Sequence, residues 1–165
     1  RNSYPLYGGL GPEALSTFME EGLMIAGLHD EWDLNPRSRE VIYISLAWRA
    51  IRGIADLKLH SNEFTLEQAL KHCAEWCPRG WECETDMDTW YDLERSMQLP
   101  GHATVYINGK NQLERLIADR AMQLGDTFNL RQVMDSFFAS GLIPISLTRW
   151  EMTGLDDEIK ELNKK

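Results

Sequence analysis

The residues best able to do chemistry crowd first around His72, with Cys73 beside it, Cys77 one helical turn on, and Cys83 beyond Pro78-Arg79-Gly80. Thiolates and imidazole are zinc ligands, and Cys73 and Cys77 would share one helix face with Cys83 folding back toward them. The spacing matches no standard zinc motif, which pairs its cysteines as Cys-x-x-Cys, so thiols packed as small hydrophobes are the commoner outcome. Three cysteines, an odd number, also fit reduced thiols better than a disulfide framework. The four histidines, His29, His60, His72 and His102, stand apart from one another, and no His-Glu-x-x-His occurs. A zinc peptidase takes two metal ligands and a general base from that motif, so this chain should not hold such a centre alone. His60 falls near the expected end of a helix, where its charge is favoured for structural reasons.

Charge narrows the partners. Twenty-six acidic residues against 17 basic ones leave a formal net charge of -9, with no compensating Lys/Arg cluster. Nucleic-acid affinity rests largely on Lys and Arg neutralising phosphates, so no nucleic-acid partner is expected, and anionic membranes would be repelled. The longest apolar run, near Val41 to Trp48, is too short to span a bilayer. No basic-then-apolar signal segment is visible, and because the chain begins at Arg1 rather than Met it reads as a processed, trimmed or partial product, which leaves its compartment unknown.

The elements that must position these groups are helices. Hydrophobic residues make up 43% and charged residues 26% of 165 residues, the balance of one globular domain. Pro12 and Glu13 open a helix whose Leu15, Phe18, Met19, Gly22, Ile25 and Ala26 recur at spacings of three and four. Asn35-Pro36 opens a second, with Val41, Ile44, Trp48, Ile51 and Ala55 inward, running to about Leu59. Thr65 and Gln68 form a capping box for a third, continued by Leu66, Ala69, Leu70, Cys73 and Trp76. Further helices are expected from Asp86 to Gln98 (Trp90, Leu93 and Met97 inward), from Ala103 to Leu124, from Asn129 to Ser140, and from Ser146 to about Met152. The six Trp read mainly as core, with Trp76, Trp81 and Trp90 able to form one cluster; exposed, that cluster would suggest a docking surface. No period-2 strand, repeat or low-complexity tract stands out. The expectation is an all-α fold, an irregular helical bundle of about six or seven helices, with residues 1–11 an irregular lead-in, 12–153 the helical domain and 154–165 a C-terminal tail.

Four segments in order resemble the bacterial family known as domain of unknown function 885, whose members look like mainly helical zinc metallopeptidases. They are Glu21-Gly22-Leu23; Trp48-Arg49-Ala50 with Asp56 and His60, then Phe64-Thr65-x-x-Gln68-Ala69; Arg95 then Pro100-Gly101-His102-Ala103 with Tyr106 and Gly109; and Leu124-Gly125-Asp126-x-Phe128-x-Leu130-Arg131 followed by Asp135, Gly141 and Pro144. The resemblance spans roughly Glu21 to Leu147. Three positions depart from it: Leu23 stands where the family usually has Trp, His102 where it has Gln, and Val133-Met134-Asp135 where it has Phe-His-Asp.

The resemblance implies that this is the C-terminal portion of a larger protein whose His-Glu-x-x-His helix precedes it. Glu21 then takes the role of third metal ligand, and Tyr106 that of donor to the oxyanion of a tetrahedral intermediate. His60 and His102 are implied as further donors, and Arg95 and Asp135 as binding residues, Arg95 pairing with Asp56, Asp135 or a substrate carboxylate. Zinc is expected in the complete protein and none in this chain; the implied partners are the missing N-terminal part and a peptide substrate. The competing reading is a non-catalytic helical scaffold or partner-binding module, which the three departures favour. The peptidase reading puts Glu21 and Tyr106 on one side of the bundle, whereas the scaffold reading separates them or consumes Glu21 in a pair with a local Arg.

Overall fold

The structure, a computed structural model, describes residues 10–31, 37–81, 84–162 and 164. The expected start at Asn35-Pro36, and Cys83, lie outside the described residues. The elements are α1 Leu10–Ile25, α2 Leu28–Glu31, α3 Ser38–His60, α4 Leu66–Trp76, α5 Met87–Gln98, α6 Val105–Leu124, α7 Leu130–Ala139, α8 Ile145–Thr153 and α9 Asp157–Leu162, with short 3-10 turns at Pro78–Gly80, His102–Thr104 and Gly125–Thr127. Among the described residues there is no strand, so the all-α expectation holds. The seven expected helices are all there, joined by the single turns of α2 and α9. No described helix is long and apolar enough to cross a membrane.

Local chemistry sets the boundaries. Thr65 accepts from the Gln68 amide while the Gln68 side chain accepts from the Thr65 amide, the reciprocal capping box that starts α4. Asp86 and Asn129 cap α5 and α7 one way only, their side chains accepting from the backbone amides of Asp88 and Gln132. α1 begins at Leu10, which puts Pro12 in its first turn. α8 ends at Gly154, whose φ of 75° is a left-handed conformation that glycine adopts without a Cβ clash.

Two apolar clusters hold the bundle. In one, Ala14 of α1 meets Leu113 and Leu116 of α6, Val133 of α7 and Ile145 of α8, all nearly inaccessible. In the other, Ala55 of α3 packs with Ala69, Leu70 and Cys73 of α4 and Leu93 of α5. Each fully buried Leu stabilises by about 1.5–3 kcal/mol relative to exposure, so the two clusters rather than helix propensity fix the arrangement. Between them runs a seam where α3, α5 and the start of α6 face one another with polar side chains.

Several apolar positions turn out differently from the expectation. Trp76, Trp81, Trp90 and Trp150 are 62%, 51%, 41% and 49% exposed, so the tryptophans are not mainly core. Met19, Ile25, Val41 and Met97 also face outward. A wide indole is seldom buried completely even on an inward-leaning face, and the smaller Ala55, Ala69 and Cys73 take the close contacts instead. The tail is also more ordered than its composition suggests. Arg115 bonds Asp157 at 2.5 Å and Glu158 at 3.1 Å, and buried Arg149 bonds Asp157 at 2.6 Å, drawing α9 back onto α6 and α8.

Candidate functional site

A stripe at four-residue spacing on α3 organises the seam: Trp48, Arg52, Asp56 and His60. The Asp56 carboxylate is fully buried and accepts from the backbone N–H of Gly101 at 3.0 Å and of Ala103 at 2.9 Å. It thereby clamps the Pro100-Gly101-His102-Ala103 turn against α3. Gly53, one turn earlier, lets that turn come close: a Cβ there would stand 3.4 Å from the Ala103 carbonyl oxygen. His60 Nε2 donates to the Ser96 carbonyl at 3.0 Å and lies 3.4 Å from Asp56, so it brackets α3 to α5 behind the turn. Arg52 is fixed on two sides, its guanidinium 3.8 Å above the Trp48 ring and bonded to Asp92 of α5 at 2.7 Å.

What this scaffold encloses is a cavity of about 220 Å³ lined by Arg52, Tyr91, Asp92, Arg95, Ser96, His102, Ala103 and Tyr106. His102 and Tyr106 lie one turn apart with their rings edge to face, 5.7 Å between centroids. Burial, then the positive charge of Arg95, holds the His102 imidazole below its ordinary pKa, outweighing the opposing Glu13 and Asp56 carboxylates; it is neutral at neutral pH. Burial, then the Glu13 carboxylate, pushes the Tyr106 phenol above its ordinary value, so it stays a protonated donor. His102 Nε2 and Arg52 Nε are both buried and have no hydrogen-bond partner among the described residues. Arg95 is exposed and makes no ion pair within 4 Å with a described residue, neither with Asp56 nor with Asp135. The cavity thus presents donors in surplus over acceptors.

Glu21 lies on the adjoining face, where α1 crosses α6. Its Oε2 is buried and 2.6 Å from Lys110 Nζ, close enough for an ion pair but not aligned as a hydrogen bond. Lys110 also bonds Glu114 at 2.7 Å. Burial by itself would lower the Lys110 pKa, but the hydrogen bond to Glu114 and the adjacent Glu21 carboxylate outweigh it and raise the value, so the ammonium stays charged. Lys110 and Tyr106 are one turn apart on α6, which puts the group holding Glu21 and the Tyr106 ring on the same side of that helix. Arg49 joins the two regions, chelating Glu20 at 2.6 and 2.8 Å while standing 5.7 Å from the centre of the Tyr106 ring.

The remaining sequence-predicted residues fall elsewhere. Asp135 is on α7, 71% exposed and 3.9 Å from Arg131, away from the cavity lining. Cys73 is buried in the α3–α4–α5 cluster. His72 sits between the rings of Phe64 and Trp76, its pKa lowered by burial and then by Lys58. Among the described residues no three His, Cys, Asp or Glu side chains gather as a metal site. Glu21 alone, paired to Lys110, does not fit a zinc ion: the donor set in this chain is one carboxylate. Of the six predicted site residues, Arg95, His102 and Tyr106 converge on the cavity, His60 supports it from behind, Glu21 flanks it, and Asp135 stands apart. Reasoning from sequence missed Arg52, Asp92 and Lys110. The four-residue spacings Trp48-Arg52-Asp56 and His102-Tyr106-Lys110 were the available signal, since each puts polar or aromatic groups on one helix face.

No characterised protein and no solved structure matches the chain. The sequence profile of the family described as bacterial protein of unknown function (DUF885) matches residues 18–152, from the middle of α1 through α8 and so across the cavity, Glu21 and the clamped turn. That span is most of the chain, which therefore belongs to the DUF885 family.

Proposed function

We propose that this chain is the C-terminal part of a zinc-dependent, peptidase-like hydrolase, inactive alone, and that the complete protein takes its His-Glu-x-x-His pair from a segment preceding Arg1. The observation that carries the reading is the cavity itself, where Arg52, Arg95, His102 and protonated Tyr106 converge, with half-buried Glu21 on the adjoining face. In this reading the chain's own groups bind and orient a peptide. Tyr106 keeps its proton at neutral pH and offers it to a carbonyl oxygen that gains charge. Neutral His102 lines the same cavity, and Arg52 is locked by Trp48 and Asp92. Joined to the two histidines of the preceding segment, Glu21 would be the acid that helps hold the metal, and Lys110 would keep Glu114 as its partner. Zinc would supply polarisation of the amide and activation of water in the complete protein. The preceding segment of the same protein is the expected partner, a peptide the expected substrate.

One observation favours the second reading, a non-catalytic helical module: Glu21 is already neutralised by a local cation. The coding sequence ahead of Arg1 separates the two. A longer product carrying His-Glu-x-x-His is expected to cleave unblocked tripeptides, with no turnover by the 165-residue chain alone. A longer product without that motif, or one that has it and cleaves nothing, leaves the module reading in its place.

A further inference from the structure

We infer that the cavity between α3, α5 and the His102 turn is a receptor for a single terminal carboxylate, so that the peptides this site takes carry a free C-terminus. The inference rests on the peptidase-like reading for the word peptide; the carboxylate preference stands on the cavity alone.

Unmet hydrogen-bonding capacity is the first argument. Buried polar atoms in a folded protein nearly always find partners, because each one left without costs on the order of 1–3 kcal/mol. Two such nitrogens, His102 Nε2 and Arg52 Nε, belong to residues lining one cavity, and the exposed Arg95 guanidinium at its rim has no counter-ion within 4 Å among the described residues. All three groups can donate, so the missing partner is an acceptor. Neutral His102 donates only if its proton is on Nε2, and a bound anion selects that tautomer.

Charge then decides which acceptor. Arg52 is neutralised by Asp92 at 2.7 Å, while the Asp56 and Glu13 carboxylates stand close to His102. Among the described residues Arg95 is the one uncommitted cation of the lining, and neutral His102 adds none. A dianion such as inorganic phosphate would bring a second negative charge that no cation of the lining is left to meet, whereas a monoanion is matched by Arg95 in a planar, two-point contact. Size decides the rest. A cavity of about 220 Å³ is below the roughly 300–1,000 Å³ that encloses a whole small ligand, so it holds the end of a longer one.

The test is calorimetric titration of the 165-residue chain at neutral pH with N-acetylglycylglycine, its C-terminal amide and inorganic phosphate. The free acid is expected to bind saturably, with the amide and phosphate each about tenfold or more weaker, since each loses or mismatches a charge-assisted contact. Arg95→Gln should bring the acid down to the level of the amide while leaving the circular dichroism spectrum unchanged, because Arg95 is exposed and supports no ion pair; Arg95→Lys should recover part of the loss. Equal binding of acid and amide, tighter binding of phosphate, no binding at all, or an unaltered acid affinity in Arg95→Gln each overturns the inference. Acid-selective binding by the chain, joined to a longer product that hydrolyses nothing, would refute the peptidase reading and leave the carboxylate receptor standing.

Discussion

Replacing Asp56 by Ala is expected to lower the unfolding free energy by roughly 3 kcal/mol and to abolish ligand binding at the cavity together with it. The carboxylate is fully buried and is the acceptor for two backbone amides, those of Gly101 and Ala103. Alanine leaves both N–H groups without a partner, and the turn that carries His102 is released from α3. Asn is not a conservative replacement here. Its carbonyl can satisfy one amide, but its NH₂ would face the other donor. Urea unfolding of Asp56→Ala and Asp56→Asn should therefore show both midpoints lowered with unchanged m-values, Ala furthest. A loss well under about 1 kcal/mol in Asp56→Ala would mean that the turn is held by apolar packing instead.

Replacing Arg149 by Met should cost roughly 3–4 kcal/mol, toward the low end for a broken buried ion pair because its second partner is half exposed. Arg149 is 2% exposed and bonds Asp119 of α6 at 2.7 Å and Asp157 of α9 at 2.6 Å. Met fills the aliphatic volume but leaves the Asp119 carboxylate, 13% exposed, without its cation. The same link gives α9 a pH dependence. The hydrogen bond from Arg149 holds the Asp157 carboxyl below its ordinary pKa. A depressed carboxyl contributes stability that is present above its unfolded-state pKa and is lost as pH falls through the lower, folded value. Protection factors of the amides over residues 157–162 should thus fall only in acid in the parent chain, and be low at every pH in Arg149→Met. Slow exchange in the variant at neutral pH would show that α9 is held without Arg149.

Much of this fold can be read from local signals because each element carries its own start and stop. Thr65 with Gln68 and Asn129 with Gln132 are contained within a few residues, so a single sequence displays them in full. The inward and outward faces were harder. Leu93 and Ala55 went inward as expected, but Trp90 turned out, its indole N–H donating to the Glu84 carbonyl at 3.0 Å. An indole can satisfy itself at a rim, and periodicity does not distinguish a rim from a core. The cavity shows the same boundary. His102, Tyr106 and Arg95 belong to segments that resemble the family and they meet in space. Arg52 and Asp92 are 40 residues apart, and nothing local in either helix announces that they will pair. Only the docking of the turn at 101–104 onto α3 makes the stripe Trp48-Arg52-Asp56 into a wall. Glu21 was expected on its own as an acid for a metal; the Lys110 that neutralises it arrives from α6, eighty-nine positions away in the chain.

The most direct test of the proposed function is the turnover number for an unblocked tripeptide, measured in the longer product proposed above, with Glu21→Gln and Tyr106→Phe introduced singly. Tyr106→Phe keeps the edge-to-face contact with His102 and removes only the phenolic donor. Its kcat is predicted to fall by about 10²–10³ with KM little changed, as when one donor to a developing oxyanion is lost, and Glu21→Gln is predicted to fall at least as far. Turnover within about twofold of the parent in both variants would contradict the account, because neither the acid beside Lys110 nor the phenol in the cavity would then take part in the reaction.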